Sequence, residues 1–341
     1  MNKMKHRTVI YWIIAVCAAA IVFYLSCNSY RTKPATAAVS AYEPYSKVSP
    51  DFDADSAYAF IERQVSFGPR VPDTPEHSAC GDYLSATLKA FGAEVTEQTA
   101  DIVHYNGEMF SIRNIIGSFQ PEKEKRIMLF AHWDTRPFAD RETDPQKQRQ
   151  PIAGADDGAS GVGVLLEIAR QLQQKPAAVG VDLFFFDLED WGQPEFEASS
   201  VSGDWWCVGS RYWSENPHRP DYRAAYGILL DMVGGKGAAF PREGYSVQYA
   251  SNVVEKVWST ATKLGYGSYF IQKNGSYITD DHVPVNKIRH IPCVDIIHLQ
   301  DSPTGFAPHW HTHADNLSVI DRATLKAAGQ TVMEVIYAEN D

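Results

Sequence analysis

Four short runs of almost wholly apolar residues constrain the fold of this chain more than any other feature. They cover residues 126–131, 181–186, 226–230 and 291–297. Strands of a parallel sheet that is buried on both faces show this continuous apolar pattern. Between the first two runs, residues 160–173 carry apolar side chains at helical spacing, which predicts a strand-helix-strand crossover. We therefore predict one α/β domain whose central sheet is mixed but mostly parallel, with helices on both faces.

Other segments predict the rest of this domain. Alternation of apolar and polar residues over 94–103 and 109–116 indicates two strands, which we expect to pair antiparallel. A helix capped by Ser56 should end at Gly68-Pro69. Further helices are predicted over residues 76–91, 253–264 and 322–337. The long polar or Gly/Ser/Trp-rich stretches 139–154 and 192–206 should form loops around the mouth of a crevice.

Ionisable residues follow the apolar runs where the predicted strands end. They are His132, Glu189, Asp190, Asp231 and His298. Because ligands of open α/β sheets bind beyond the carboxyl ends of the strands, these side chains should converge there. The histidine-rich segment 309–313 adds imidazoles at alternate positions, which would share one face of a strand. The pattern indicates a metal-assisted active site.

A catalytic zinc ion takes three protein ligands and keeps a fourth position for water or substrate. The candidate ligands in this sequence are Asp156, Asp157, Asp190, His132, Asp231 and His311. Two adjacent acidic residues can have different roles. One can cap a helix or face the substrate while the other binds metal. From the residues alone, the choice among the six stays open.

The N-terminal segment differs from the rest of the chain. Residues 1–7 carry three Lys or Arg side chains and no acid, and residues 8–30 carry no Asp, Glu, Lys or Arg. This predicts an export signal or a membrane anchor over residues 1–26. Leu25-Ser26-Cys27 resembles a bacterial lipobox, in which the cysteine is lipidated, although an uncut spanning helix is the alternative. Residues 27–50 should form a flexible tether to a catalytic domain at 51–341. We expect that domain to be periplasmic and anchored through Cys27.

Charge and cysteine content exclude other classes of function. The formal net charge of -11, with no Lys/Arg cluster, argues against nucleic acid as a partner. Beyond the N-terminal segment only Cys80, Cys207 and Cys293 remain, an odd number without CxxC spacing. The sequence therefore predicts neither a disulfide framework nor a cysteine zinc site, and it indicates no thiol nucleophile.

Motifs from about residue 55 to the C-terminus resemble, in identity and order, the animal-type zinc-dependent glutaminyl cyclases, also called glutaminyl-peptide cyclotransferases. The motifs are GPRVPDTPEH at 68–77, AHWDTRPF at 131–138, GADDGASG at 154–161, FDLED at 186–190, VGSR at 208–211, LLDMVG at 229–234, DDHVPV at 280–285, IPCVDIIH at 291–298 and WHTHADN at 310–316. Those cyclases are related to zinc aminopeptidases with two co-catalytic metals. The resemblance therefore implies a zinc aminopeptidase-like fold in this chain, which the lipobox places among bacterial proteins.

Carried onto the matching positions, the resemblance implies one zinc ion per chain. Its ligands would be Asp157, Asp190 and His311, with Asp190 standing where animal cyclases commonly have glutamate. His309 and His313 are further candidates, although the match singles out His311 between them.

The resemblance also implies roles for the other site residues. Glu189 would be the general acid/base, and Asp231 and Asp280 would form a carboxylate network with it, with Asp281 as the neighbouring alternative. The substrate would contact Trp310, Phe306 and Ile278.

The activity so implied is cyclisation of N-terminal glutamine, and more slowly glutamate, of peptides and proteins to pyroglutamate. The alternative is a dinuclear zinc aminopeptidase, in which His132 and Asp231 hold a second metal and Glu189 activates a bridging water. A non-enzymatic lipoprotein with a decayed site is disfavoured, since every carboxylate that the chemistry needs is present.

Overall fold

The computed structural model describes residues 3–29, 45–197 and 205–341, and side chains of the first helix over 10–26. It divides into two compact units, Met1–Tyr45 and Ser46–Asp341. The first unit contains helix α1 (Lys3–Ser29). In the described part of the chain, no helix is both long and apolar enough to cross a membrane. The side chain of Cys27 and part of the predicted loop 192–206 lie outside the described residues.

The second unit alternates helices with strands. Its strands are β1 (Glu94–Val103), β2 (Met109–Phe119), β3 (Arg126–His132), β4 (Gly180–Phe186), β5 (Tyr226–Asp231), β6 (Phe240–Arg242), β7 (Phe270–Asn274) and β8 (Cys293–Ile297). Its helices are α2 (Ala54–Val65), α3 (Pro75–Ala90), α4 (Ala159–Gln174), α5 (Val208–Glu215), α6 (Gly244–Lys263), α7 (His282–Pro284) and α8 (Arg322–Tyr337). A π-helical segment follows α7 at Val285–Arg289, and a short 3-10 helix at Leu317–Val319 precedes α8.

Six strands form the central sheet in the order β1-β2-β4-β3-β5-β8. Strand β3 lies parallel between β4 and β5, with Leu129 opposite Leu183 and Ile228, and β8 continues the parallel part beside β5. The β1-β2 hairpin is antiparallel and joins the sheet through β4. Every residue of the four parallel strands is buried, as their apolar sequences predict. The mixed, mostly parallel sheet is confirmed.

Helices cover both faces of this sheet. On one face, the main core joins residues of α2, α4, α6 and α8 to the strands. On the other, Trp213 of α5 packs with Tyr222 and Val285 against Phe130 and Phe184. Helix α4 makes the predicted crossover between β3 and β4. It lies so close to β5 that a Cβ at Gly161 would collide with the carbonyl oxygen of Leu230.

The predicted starts of two helices, α2 and α6, were wrong, because polar residues at these positions gave no clear boundary. Helix α2 is capped by Asp53 rather than Ser56, since the Asp53 carboxylate accepts from the amides of Asp55 and Ser56. Helix α6 begins at Gly244, well before residue 253, and its backbone is kinked at Ala250 (φ -141, ψ 41). The short elements β6, β7 and α5 carry no periodic pattern long enough to be recognised.

The folded unit also holds the chain that leads into α2. The backbone amides of Val48 and Ser49 donate to the carboxylate of Glu334 in α8, at 3.0 and 2.9 Å. The Ser49 hydroxyl donates to the same carboxylate at 2.6 Å.

Candidate active site

The parallel strands deliver most of the candidate residues to one edge of the sheet. His132 is the last residue of β3, and Asp231 is the last residue of β5. After β4 the chain turns at Leu188, whose left-handed backbone (φ 53) precedes Glu189 and Asp190. A non-glycine residue in this conformation is strained, and such strain is common where a side chain must be aimed into a site.

Asp157, Asp190 and His311 form one buried group that can hold a metal ion. Their ligand atoms lie within 4.8 Å of one another. His311 Nε2 lies 3.2 Å from Asp190 Oδ1 and 3.7 Å from Asp157 Oδ2. Asp190 Oδ2 is buried without a hydrogen-bond partner, as expected of an atom that awaits a cation. Two carboxylates and one imidazole fit zinc, and this is the set implied by the sequence motifs.

His132, Asp157 and Asp231 form a second buried group of the same kind. His132 Nε2 lies 3.0 Å from Asp157 Oδ1 and 3.4 Å from Asp231 Oδ1. Because Asp157 belongs to both groups, its two oxygens face different sets of ligands. The residues that the dinuclear alternative assigns to a second metal are therefore also brought together.

Two further aspartates hold the loops that carry the ligands. Asp134 accepts from the amides of Glu189 and Asp190, both at 3.2 Å. Asp315 accepts from the amides of Asp156 and Asp157, at 2.7 and 3.1 Å. Sequence reasoning missed these roles, although both aspartates lie in quoted motifs, AHWDTRPF and WHTHADN, because a motif does not show which distant backbone amides a side chain will accept from.

The remaining histidines and Asp156 lie outside these metal-binding groups. His309 Nε2 contacts Asp156 Oδ2 at 2.8 Å, and Asp156 Oδ1 accepts from the amide of Gly234. His313 Nδ1 contacts Glu142 Oε1 at 3.0 Å. The segment forms turns rather than a strand, so the predicted common face of the three histidines is wrong. His298 is buried after β8 but does not line the cavity described next.

A cavity of about 370 Å³ opens beside the ligands. Its polar lining comprises Asp157, Glu189, Asp190, Asp231, Thr279, Asp280 and His311. Its apolar and aromatic lining comprises Trp206, Met232, Tyr277, Ile278, Ile297, Phe306 and Trp310. The structure thus brings all nine predicted site residues together at one cavity, whereas Asp281 is buried outside its lining. Sequence reasoning missed Trp206 and Tyr277, which lie in segments without a recognisable pattern.

One wall of this cavity is a stack of rings. The ring centroids of Phe306 and Trp310 are 4.4 Å apart, and Trp310 stacks on the His311 imidazole at 3.8 Å. Trp310 therefore fixes one face of a proposed metal ligand as well as closing the pocket.

Burial and mutual repulsion change the acidity of the clustered carboxyl groups. Burial raises the pKa of Glu189 well above its usual range, and Asp280 and Asp190 add to this against the opposing effect of His132. Burial raises the pKa of Asp231 to about 7, with a contribution from Asp157. Burial and the charge of Asp231 likewise raise the pKa of Asp280 to about 7. Such a cluster retains protons near neutral pH, which suits general acid/base chemistry.

Known proteins resemble this chain in sequence and in fold. Residues 114–336 match peptidase family M28. The solved glutaminyl cyclase of Tannerella forsythia is 56% identical, with a TM-score of 0.84 over 85% of this chain and 100% of that chain. A solved Zn-dependent exopeptidase from Parabacteroides distasonis is 58% identical, with a TM-score of 0.84 over 85% of this chain and 99% of that chain. A glutaminyl-peptide cyclotransferase of Drosophila melanogaster is 27% identical over 288 residues, which span 75% of this chain and 73% of the relative.

Proposed function

The chain belongs to peptidase family M28, and from that premise we propose that it cyclises N-terminal glutamine of peptides and proteins to pyroglutamate, with release of ammonia. N-terminal glutamate is a slower substrate. The observation that carries this proposal is the position of Glu189, a buried carboxyl group beside the ligands Asp157, Asp190 and His311 in a cavity with an aromatic wall. The similarity to solved glutaminyl cyclases over most of the chain supports the same activity.

Asp157, Asp190 and His311 would hold zinc, which when bound would supply Lewis acidity at the side-chain carbonyl of the glutamine. The α-amine must be neutral to attack that carbonyl, and Glu189 accepts the proton that it loses. The same carboxyl group then donates the proton to the departing nitrogen, which leaves as ammonia when the carbon-nitrogen bond of the amide breaks. A raised pKa suits both halves of this transfer.

Asp280 and Asp231 assist Glu189. Ligand atoms of Asp280 and Glu189 lie within 4.8 Å of each other, and Asp231 lines the same cavity. Because these carboxyl groups cannot all be ionised together, a proton taken up by one is shared with its neighbours. The network thereby keeps a proton available for the leaving group.

Trp310, Phe306 and Ile278 enclose the substrate. They cluster with Met232, Ile297 and Leu299 to form an apolar wall of the cavity. A glutamine side chain placed against this wall is held in the folded conformation that cyclisation needs, because closing a five-membered ring requires the amine and the amide carbon to approach.

One observation favours a second candidate, a dinuclear aminopeptidase. The group His132, Asp157 and Asp231 provides a place for another metal, and the Parabacteroides distasonis relative is described as an exopeptidase. In that case Glu189 would activate a water molecule, and the chain would release N-terminal residues.

A product assay separates the two activities. The purified protein is given one peptide that begins Gln-Phe and another that begins Leu-Phe, and the products are analysed by mass. Cyclisation removes ammonia and leaves the chain intact, a loss of about 17 Da, whereas hydrolysis by a metal-activated water frees the first residue. Free leucine without ammonia from the glutamine peptide would establish the aminopeptidase instead.

We also propose that the folded unit works outside the cytoplasm, in the periplasm, and is held at the membrane by a lipid on Cys27. The support is the basic start of the chain, its uncharged run and Leu25-Ser26-Cys27. Cys27→Ser should abolish metabolic labelling by fatty acid and the processing of the precursor, with Cys17→Ser as the control. Unchanged processing in Cys27→Ser would contradict the lipid anchor.

A further inference from the structure

The two ends of the loop that follows β4 are joined in fixed register. The amides of Cys207, Val208 and Gly209 donate to the carbonyl oxygens of Glu189, Leu188 and Asp187, at 2.9, 3.0 and 3.0 Å. A Cβ at position 209 would collide with the Asp187 carbonyl, so only glycine permits this approach. Cys207 is consequently fixed opposite Glu189 by the backbone itself.

The side chain of Cys207 also faces Glu189. Its backbone is left-handed (φ 57, ψ 37), a conformation that non-glycine residues rarely adopt. Its Sγ lies 3.3 Å from Oε1 of Glu189, and both groups lie within 4.8 Å of a ligand atom of Asp280. The thiol is fully buried. Backbone strain of this kind is kept mainly at functional sites, and here it places the thiol beside an active-site carboxylate.

The thiol is suited to act as a hydrogen-bond donor. Burial, together with the charges of Glu189 and Asp281, raises the pKa of Cys207 well above its usual range. The sulfur therefore keeps its proton, and a protonated thiol beside a carboxylate donates to it.

Glu189 requires such a donor because of its surroundings. Five carboxylates line the cavity, namely Asp157, Glu189, Asp190, Asp231 and Asp280. Although they share protons, repulsion among those that are ionised favours rotation of the flexible glutamate side chain away from its neighbours. A donor at Oε1 opposes that rotation and keeps the carboxylate directed into the cavity.

We propose that Cys207 is a positioning residue, whose thiol donates to Oε1 of Glu189 and holds this carboxylate in the orientation for proton transfer. The proposal rests on the proposed function, since it takes Glu189 as the general acid/base. The thiol forms no bond to substrate.

Two substitutions at this position isolate the donor. Cys207→Ala removes the thiol, whereas Cys207→Ser replaces it with a hydroxyl, and neither adds a branch at Cβ that the left-handed backbone would oppose. We expect the kcat of Cys207→Ala for a Gln-Phe peptide to fall about tenfold with KM little changed, and Cys207→Ser to recover most of the loss. Zinc content and the thermal midpoint should be alike in the two variants. Equal kcat values in these variants would overturn the proposal.

A double-mutant cycle tests whether Cys207 acts through Glu189. In the Glu189→Gln background, Cys207→Ala should cause no further loss, because the group that it positions no longer transfers protons. A full additional tenfold loss in that background would show that Cys207 acts elsewhere.

An infrared measurement keeps the proposal testable if turnover is absent or a Cys207 variant fails to fold. The S–H stretching band that is missing from Cys207→Ser should shift to higher frequency in Glu189→Leu, which fills the same space without an acceptor. A wild-type protein that releases no ammonia but shows this shift would refute the proposed function and retain the hydrogen bond. An unshifted band would refute the hydrogen bond itself.

Discussion

Asp140 orients the imidazole of His311 through Nδ1, the ring nitrogen that does not face Asp157 and Asp190. His311 Nδ1 lies 3.2 Å from Asp140 Oδ1, on the opposite edge of the ring from the nitrogen that faces Asp157 and Asp190. Asp140 is itself fixed by Arg136, at 2.6 Å. A carboxylate in this position selects the tautomer with the proton on Nδ1, which leaves Nε2 able to bind metal.

Asp140→Asn should therefore weaken zinc binding by about 10- to 100-fold, the usual effect of losing such an outer carboxylate. Competition with a chelator of known affinity measures this change. The matched control is Glu142→Gln, which removes the carboxylate beside His313 and should leave zinc affinity as in wild type. Equal effects of the two substitutions would show that Asp140 has no special role.

His311→Ala should abolish both zinc retention and activity, because one of three ligands is lost from a buried site. His132→Ala should retain its zinc and lose less activity. Metal analysis of the purified variants, with activity after zinc is added back, tests this difference. Two tightly bound ions in wild type, with one lost in His132→Ala, would favour the dinuclear alternative.

Glu189→Gln should bind zinc normally while kcat falls by about 10²- to 10⁴-fold, since an amide keeps the shape but cannot shuttle a proton. Asp231→Asn and Asp280→Asn should lower kcat as well, by weakening the shared network. Steady-state kinetics and metal content are measured on the same preparations. A Glu189→Gln protein with wild-type kcat would contradict the assigned role.

Acid stability should depend on Glu243, which is buried beside His282 with 3.0 Å between Oε2 and Nε2. Burial alone would raise the pKa of Glu243, but the contacts with His282 outweigh it and lower this pKa to about 2. Because the folded pKa lies below the unfolded one, the stabilisation is complete above the unfolded pKa of about 4.3 and is lost as pH falls towards 2.

The free energy of unfolding should accordingly differ between wild type and Glu243→Gln by about 3 kcal/mol at pH 6, and by less than half of that at pH 3. Urea unfolding of the zinc-free proteins at both pH values measures the difference. Glu124→Gln, at an exposed position, serves as the control. A difference that is independent of pH would mean that Glu243 stabilises the protein without its charge.

Much of the fold follows from patterns that lie within single segments. A strand buried on both faces must be apolar along its whole length, so β3, β4, β5 and β8 are recognisable wherever they occur. The crossover through α4 follows from chain connectivity and from the length of the intervening helix, whereas the order of the strands in the sheet is known only from the structure. Short elements such as β6 lack this signal, because three residues cannot display a period.

The sequence by itself determined the sheet and, through its motifs, the ligand candidates Asp157, Asp190 and His311. Tertiary structure alone decided which groups surround them. Asp140 reaches His311, and Cys207 reaches Glu189, across segments whose mutual approach has no local signature. Hydrogen bonds of this kind depend on where the backbone of distant loops is held, for example by Asp134 and Asp315. Periodicity reports which face of an element is buried, whereas pairing between loops depends on the packing of the whole domain.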